Sequence, residues 1–191
     1  MNKLISRVRV GGFLLGIAYL ACYYQFIALF IISFFVGGCI SELVELLGWT
    51  KALFLSFLWI GPTLHSIVQL TPVYAMHICI LTSLFDIYQF ICGRFFGRIR
   101  LTSISPKKTL EGYFGGLLLS IATVYLFGIS LTINKLIVLY LASISGDLFA
   151  SLIKRIYKIK DFSDSLESHG GFLDRADSIL FSLPVYYYFL Y

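Results

Sequence analysis

The residues best able to do chemistry in this chain lie in one polar stretch, residues 143–177, which begins SISGDLFASLIKRIYKIKD and ends HGGFLDRAD. At about 100° per residue, a helix through its first part places an acid, two hydroxyls and two cations on one face. These five residues are Ser143, Asp147, Ser151, Lys154 and Lys158. An apolar chain concentrates charge in this way only where the charge is solvated or does chemistry.

Two more acids follow in the same stretch. Gly170 and Gly171 come after His169, and Asp174 and Asp177 are spaced i, i+3 at the start of the last apolar segment. Helix ends that carry acids can meet around one divalent cation, with lysines nearby for phosphates. Taken singly, residues 154–160 are typical of a positive-inside flank, and either aspartate is typical of a helix cap. The joint arrangement favours a phosphate-handling site.

The same residues carry a family resemblance. GDLFASLIKRIYKIKD followed by HGGFLDRADS resembles the signature S-x-x-K-R, K-D, H-G-G-x-x-D-R-x-D of the phosphatidate cytidylyltransferase (CDP-diacylglycerol synthase) family. A second segment, SPKKTLEG at residues 105–112, is similar to that family's S-P-K-K-T-x-E-G loop. The matching blocks lie within residues 86–112 and 143–178, and the other segments agree with the family only in being apolar.

The resemblance implies the reaction of CTP with phosphatidate to give CDP-diacylglycerol and pyrophosphate, a step of phospholipid biosynthesis. The lipid phosphate is already an anion, so the reaction needs charge neutralisation and in-line placement more than a strong base. Mg²⁺ is the implied cofactor, and a second cation, monovalent or divalent, is left open. CTP is soluble and phosphatidate is not, which favours a site at the cytoplasmic surface of the membrane.

The resemblance also implies residue roles. Asp147, Lys154, Asp174 and Asp177 would be catalytic, and the three aspartates would be the Mg²⁺ ligands. Residues expected to contact nucleotide, phosphate or lipid head group offer a polar side chain or a bare backbone; they are Asp86, Lys107, Lys108, Ser151, Arg155, Lys158, His169, Gly170, Gly171 and Arg175. Two lysines at a membrane edge, such as Lys107 and Lys108, are otherwise typical of topology signals.

Several other polar residues have competing interpretations. Asp86 lies inside an apolar run, where an acid is costly and a functional role is expected, but a pair with Arg94 is the alternative. Glu42 and Glu45 end an apolar segment and are expected to face water or a lysine. Thr109 and Glu111 begin a helix, where both favour the free backbone N–H groups.

The sequence also departs from the family pattern. Glu167 stands where proline or a small residue is usual, and Ser168 stands where glycine is usual. Ile87 and Gln89 replace small residues after Asp86. None of these removes an expected metal ligand or lysine, so they bear on rate and lipid preference more than on the class of reaction.

Composition places the chain among membrane proteins with several spans. It has 191 residues, of which 59% are hydrophobic and 13% are charged, and its mean hydropathy is +0.87. The length suits one domain, residues 1–191. The net charge of +5 lies in loops beside apolar segments, so it indicates membrane topology and not a nucleic-acid partner. The four cysteines have no metal spacing and are expected to be packed thiols.

The apolar segments predict an all-α bundle of about seven transmembrane helices, within a range of six to eight. The expected helices are residues 10–22, 26–47, 52–68, 73–92, 113–131, 134–153 and 176–191. One long first helix to about residue 40 is the alternative for the first two. With the N-terminus in the cytoplasm, every one of the fifteen Lys and Arg residues except Lys135 falls on the cytoplasmic side.

This orientation puts both blocks on one side of the membrane, as a shared site needs, and we expect a bacterial inner-membrane enzyme. Seven short helices bury little surface, which favours a homodimer. Two other functions remain open. A CTP-dependent lipid-alcohol kinase, such as a polyprenol kinase, would transfer the γ-phosphoryl group and release CDP. A small transporter would suit an intramembrane acid such as Asp86, although the polar residues cluster at one interface.

Overall fold

The computed structural model describes residues 25–100, 105, 108–129, 131–165 and 170–191 of the chain. Within these ranges the regular structure is helical, apart from one isolated bridge between Arg100 and Thr109. The long helices are α1 (Gln25–Leu47), α2 (Trp49–Gln69), α3 (Pro72–Phe96), α4 (Leu110–Leu126) and α5 (Ile133–Ile156). The short helices α6 (Leu173–Ala176) and α7 (Ile179–Val185) follow, and α7 runs into a π-helical turn, Tyr186–Leu190.

The protein is a helical membrane protein. Among the described residues, three helical segments are long and apolar enough to cross a membrane: Trp49–Gln69, Val73–Phe96 and Ile133–Ile156. Leu110–Leu126 and Ile179–Leu190 are apolar but shorter. The predicted all-α class is confirmed. The helices expected from residue 26 onward are found with ends shifted by up to five residues, and the last expected one, residues 176–191, is α7 followed by the π-helical turn. The expected helix at residues 10–22 lies outside the described residues, so the count of seven stays a prediction.

Helix α5, like α7 with its Leu180 and Leu183, contributes to both apolar clusters of the bundle. One cluster joins it to α1, α2 and α6 through residues that include Leu43, Trp59, Ala150 and Leu173. The other joins it to α3, α4 and α7 through residues that include Phe85, Val124, Leu139 and Leu183. A helix packed on two sides is held firmly, which suits the polar residues on its C-terminal half.

Glycines let the backbone of neighbouring elements approach closely around that half. A Cβ atom at Gly112 would lie 2.9 Å from the Gln89 carbonyl oxygen and 3.0 Å from the Gly93 Cα atom, so the start of α4 packs directly on α3. A Cβ atom at Gly146 of α5 would overlap the Asp177 carbonyl oxygen and lie 3.2 Å from the Ser178 Cα atom. The first contact lies within residues 86–112 and the second within residues 143–178, so each makes one signature block compact.

We predict that Gly146→Ala destabilises the protein, because the new methyl group must push the 177–178 backbone away from α5. Overpacking of this kind costs about 1–3 kcal/mol. The measurement is the thermal unfolding midpoint of the protein purified in detergent. Gly37→Ala in α1 is the matched control, since nothing lies within 4 Å of a Cβ atom there. Equal midpoints for the two variants would contradict the packing described here.

Candidate active site

A cavity of about 450 Å³ opens between α3, the start of α4, the end of α5 and the residues Lys160, Asp174 and Asp177. Residues from both signature blocks line it, so the structure brings the two blocks together. Eight of the residues predicted from sequence are among the lining residues: Asp86, Lys108, Asp147, Ser151, Lys154, Arg155, Asp174 and Asp177.

The predicted polar face of α5 is only partly correct. Asp147, Ser151 and Lys154 line the cavity from this helix, and Ser143 is fully buried on it. The helix ends at Ile156, and Lys158 has a left-handed backbone with φ of 56°. The prediction that Lys158 extends this face is therefore wrong, because the helix ends two residues before it. Lys158 is exposed and is not among the cavity-lining residues.

Lys154 and Asp174 form the best-defined ion pair of the cavity. The Lys154 Nζ atom lies 2.6 Å from Asp174 Oδ1, and both side chains are largely buried. The other carboxylate oxygen, Oδ2, accepts hydrogen bonds from the backbone N–H groups of Phe162 at 2.8 Å and Gly171 at 3.0 Å. Asp174 thus joins the end of α5 to both sides of the segment between α5 and α6, residues 157–172, which we call the polar loop.

Lys108 supplies a second cation from the other signature block. Its ammonium group contacts the Asp147 carboxylate and lies 5.8 Å from the centre of the Tyr113 ring. Burial lowers the pKa of Lys108, and the nearby Asp86 and Asp177 carboxylates raise it in part. Lys108 is therefore a partly buried cation whose counter-charges are the acids of the same cavity.

Asp86 and Asp177 both line the cavity, and both accept hydrogen bonds from Ser178. The Ser178 hydroxyl donates a hydrogen bond to Asp86 Oδ2 at 3.0 Å, and the Ser178 N–H group donates to Asp177 Oδ1 at 2.7 Å. Burial, with the neighbouring Asp86 carboxylate, raises the pKa of Asp177 to about 6. Asp86 lines the cavity with three other aspartates, and Arg94 lines it too, so the alternative that Asp86 pairs with an arginine stays open.

The remaining predicted residues have different positions. Gly171 is buried and donates to Asp174, and Gly170 has a φ of 76°, a conformation that favours glycine. Arg175 is exposed and is not among the cavity-lining residues. Lys107 and His169 lie outside the described residues. The substrate contacts expected for these five residues stay predictions.

Glu42 is the most informative residue that sequence reasoning missed. It was expected to face water or a lysine, but it is only 2% exposed. Its carboxylate accepts hydrogen bonds from the Phe172 N–H group at 2.7 Å, the Leu173 N–H group at 2.9 Å and the Ser163 hydroxyl at 2.6 Å. That expectation was wrong, since an acid near the end of an apolar helix looks the same in sequence whether it faces water or a loop.

The start of α4 shows a similar difference. Thr109 caps α4 as predicted, because its hydroxyl oxygen accepts from the Gly112 N–H group at 3.2 Å. Glu111 accepts from the N–H groups of Arg98 at 3.0 Å and Ile99 at 3.1 Å, as well as from its own backbone N–H group. Its carboxylate therefore serves the start of its own helix, as predicted, and also holds the segment after α3, which was not predicted.

The side-chain oxygen atoms that line the cavity decide whether a divalent metal ion fits there. Carboxylate oxygens are the ligands that Mg²⁺ prefers, and four aspartates line this cavity. One of their atoms, Asp86 Oδ1, is buried and accepts no hydrogen bond from the described residues. In the described part of the chain, however, no three acidic, histidine or cysteine side chains converge as a metal site. The donor types fit Mg²⁺, and the assignment of Asp147, Asp174 and Asp177 as its ligands stays a prediction.

The comparison with protein families agrees with the residues that form this cavity. The model of the cytidylyltransferase family matches residues 12–191, which is nearly the whole chain. The chain belongs to the cytidylyltransferase family. The match includes both signature blocks and every described helix, so the family assignment covers the whole of the bundle described above.

Two relatives of this cytidylyltransferase family member are named phosphatidate cytidylyltransferase, and a third is uncharacterized. The chain is 42% identical over 106 residues to a phosphatidate cytidylyltransferase of Aquifex aeolicus, covering 53% of this chain and 41% of the relative. It is 33% identical over 151 residues to the phosphatidate cytidylyltransferase of Bacillus subtilis, covering 71% of this chain and 56% of the relative. An uncharacterized Escherichia coli protein, YnbB, is 33% identical over 155 residues, covering 75% of this chain and 51% of that protein. The chain thus spans about half the length of the curated relatives it matches.

We predict that Lys154→Gln weakens the binding of pyrophosphate, measured with Mg²⁺ by isothermal titration calorimetry in detergent. The substitution removes a buried cation from the cavity, and the loss of one charge-assisted contact should raise the dissociation constant about tenfold or more. Lys158→Gln is the matched control, because it removes the same charge four residues along, outside the cavity. A loss of affinity in Lys158→Gln equal to that in Lys154→Gln would show that only the overall charge matters.

Proposed function

We propose that this protein is a membrane-embedded phosphatidate cytidylyltransferase that makes CDP-diacylglycerol and pyrophosphate from CTP and phosphatidate. The observation that carries the proposal is the single cavity in which Lys108 of one block contacts Asp147 of the other, beside the Lys154–Asp174 pair. The family and the names of the relatives from Aquifex aeolicus and Bacillus subtilis support the same substrates.

In this reaction an oxygen of the lipid phosphate forms a bond to the α-phosphorus of CTP. The bond from that phosphorus to the oxygen bridging to the β-phosphate breaks, and its electron pair leaves with pyrophosphate. The attacking phosphate is already ionised, so no side chain has to remove a proton from it. The protein must instead bring several negative phosphates together, align them and balance their charge.

The cations of the cavity are suited to that task. Lys108, Lys154 and Arg155 line it, and an ammonium group has three N–H donors. Lys108 and Lys154 can therefore keep their contacts with Asp147 and Asp174 while they donate to phosphate oxygens. Ser151 adds a hydroxyl to the same wall. The acids hold the lysines in place before the substrates arrive, which reduces the reorganisation needed for the reaction.

Mg²⁺ is the proposed cofactor, and Asp147, Asp174 and Asp177 are the proposed ligands. Bound there, it would neutralise phosphate charge beside the lysines. The four aspartates of the cavity support a divalent cation by their oxygen donors. The Asp86 Oδ1 atom, which has no hydrogen-bond partner among the described residues, offers a further ligand for the same or a second cation.

The setting of the reaction is also part of the proposal. We place the cavity at the cytoplasmic face of a bacterial inner membrane, where soluble CTP and membrane phosphatidate can meet, in a pathway of phospholipid synthesis. The distribution of Lys and Arg along the sequence supports this orientation. Assembly as a homodimer is a further proposal, which the size of the detergent-solubilised particle would test.

We predict that Asp147→Asn lowers the formation of CDP-diacylglycerol from CTP and phosphatidate by about a hundredfold or more, since the residue holds Lys108 and is a proposed Mg²⁺ ligand. Chelation of divalent ions should abolish the activity of the wild type. Lipid product and pyrophosphate are measured together with the purified protein in mixed micelles. Asp164→Asn is the matched control, because Asp164 is an exposed acid of the polar loop that does not line the cavity.

Three results would contradict the proposal. CDP released together with a phosphorylated lipid alcohol would indicate the kinase. Equal activity of the Asp147 and Asp164 variants would show that the cavity has no part in the reaction. A folded wild type that turns over no CTP with any lipid, but moves solute across liposomes, would indicate a transporter.

A further inference from the structure

The buried carboxylate of Glu42 has no role in the reaction as described so far, yet it contacts the loop that carries the site. Glu42 lies near the end of α1 and is 2% exposed. It accepts hydrogen bonds from Phe172, Leu173 and Ser163 at 2.6–2.9 Å, so this one side chain contacts both sides of the polar loop. A carboxylate is costly to bury, and these charge-assisted hydrogen bonds offset part of that cost.

The packing around Glu42 leaves the loop little freedom. A Cβ atom at Gly171 would lie 2.6 Å from either carboxylate oxygen of Glu42, and one at Gly38 would lie 2.6 Å from the Phe172 ring. Leu173 is fully buried in the cluster formed with α1, α2 and α5. Contacts with Gly38 and Glu42 of α1 therefore fix the backbone at residues 171–173.

The active-site acid follows this fixed backbone directly. Asp174 is the next residue, and its Oδ2 atom accepts from the Gly171 N–H group, which packs on Glu42. The Oδ1 atom of the same carboxylate holds Lys154 at 2.6 Å. A short chain of contacts thus leads from Glu42, through the 171–173 backbone, to the Asp174–Lys154 pair.

We propose that Glu42 is a positioning residue that sets the place of Asp174 and Lys154 for the binding of phosphate groups. Glu42 does not line the cavity and acts only through the loop. Its carboxylate is needed because it offers two oxygens to three donors, whereas an amide has one acceptor oxygen and an NH₂ group that opposes them. In its effect on turnover, this inference rests on the proposed cytidylyltransferase function.

The test compares Glu42→Gln, Glu42→Asp and Glu45→Gln. Glu45 is an exposed acid three residues along the same helix, so its variant removes the same charge without touching the loop. Three quantities are measured: the unfolding midpoint, the dissociation constant for pyrophosphate with Mg²⁺, and kcat/KM for CTP. The assays are run well below the unfolding midpoint of every variant, so that a purely structural loss does not register as lost binding or turnover.

We expect Glu42→Gln to weaken pyrophosphate binding and to lower kcat/KM about tenfold or more, because misplacement by a fraction of an ångström is costly in such sites. Glu42→Asp should recover part of the loss, and Glu45→Gln should match the wild type. A folded Glu42→Gln protein that binds pyrophosphate and turns over CTP like Glu45→Gln would overturn the proposal. So would a Glu42→Asp protein that is no better than Glu42→Gln.

Two further outcomes are also decisive. If Glu42→Gln does not fold, Glu42→Asp is compared with Glu45→Gln, and equal pyrophosphate affinity of these two overturns the proposal. If the wild type turns over no CTP, the proposed function fails by itself. Pyrophosphate binding then still tests the positioning role, because it needs no turnover.

Discussion

The Asp174 carboxylate accepts hydrogen bonds from three parts of the chain: Lys154 at the end of α5, Phe162 at the start of the polar loop and Gly171 at its end. Only a charged, two-oxygen acceptor can satisfy these donors together. Lys154 in turn needs this partner, since a cation at the edge of an apolar bundle is costly when it stands alone. The arrangement of the cavity depends on this compensation, and the Lys108–Asp147 contact repeats it from the other signature block.

The apolar bundle makes such compensation possible because it holds the charged groups at fixed distances. Helix α5 is packed on both sides, Gly112 and Gly93 bring Lys108 close to α3, and Gly146 brings the Asp177 backbone onto α5. The consequence is a polar cavity whose cations already face acids. Phosphate groups that enter it meet donors that need little rearrangement, which is the form of assistance that phosphoryl chemistry needs most.

The sequence predicted the boundaries between α1, α2 and α3 well because strong local signals mark them. Gly48, with φ of 76°, separates α1 from α2, and Thr71 and Pro72 begin α3. The polar face of α5 was correct for Asp147, Ser151 and Lys154, since helical periodicity alone determines it. Lys158 was misplaced because the helix ends two residues earlier, and nothing in KRIYKIK marks that end.

The position of Glu42 and part of the role of Glu111 were missed for a different physical reason. Both carboxylates bind backbone N–H groups of segments distant in sequence, and such partners have no local pattern. The short helix α6 was likewise missed within a stretch expected to be loop, since four residues carry no periodicity. Tertiary contacts of this kind are where prediction from sequence ends, and they are also the contacts that hold the candidate site together.

The fate of each phosphorus atom of CTP tests the central claim most directly. Wild-type protein is supplied with phosphatidate and with CTP labelled at either the α- or the γ-phosphorus, and the lipid and aqueous products are separated. Nucleotidyl transfer predicts that the α label enters the lipid and that the γ label leaves as pyrophosphate. A γ label in the lipid, with the α label left in free CDP, would contradict the account.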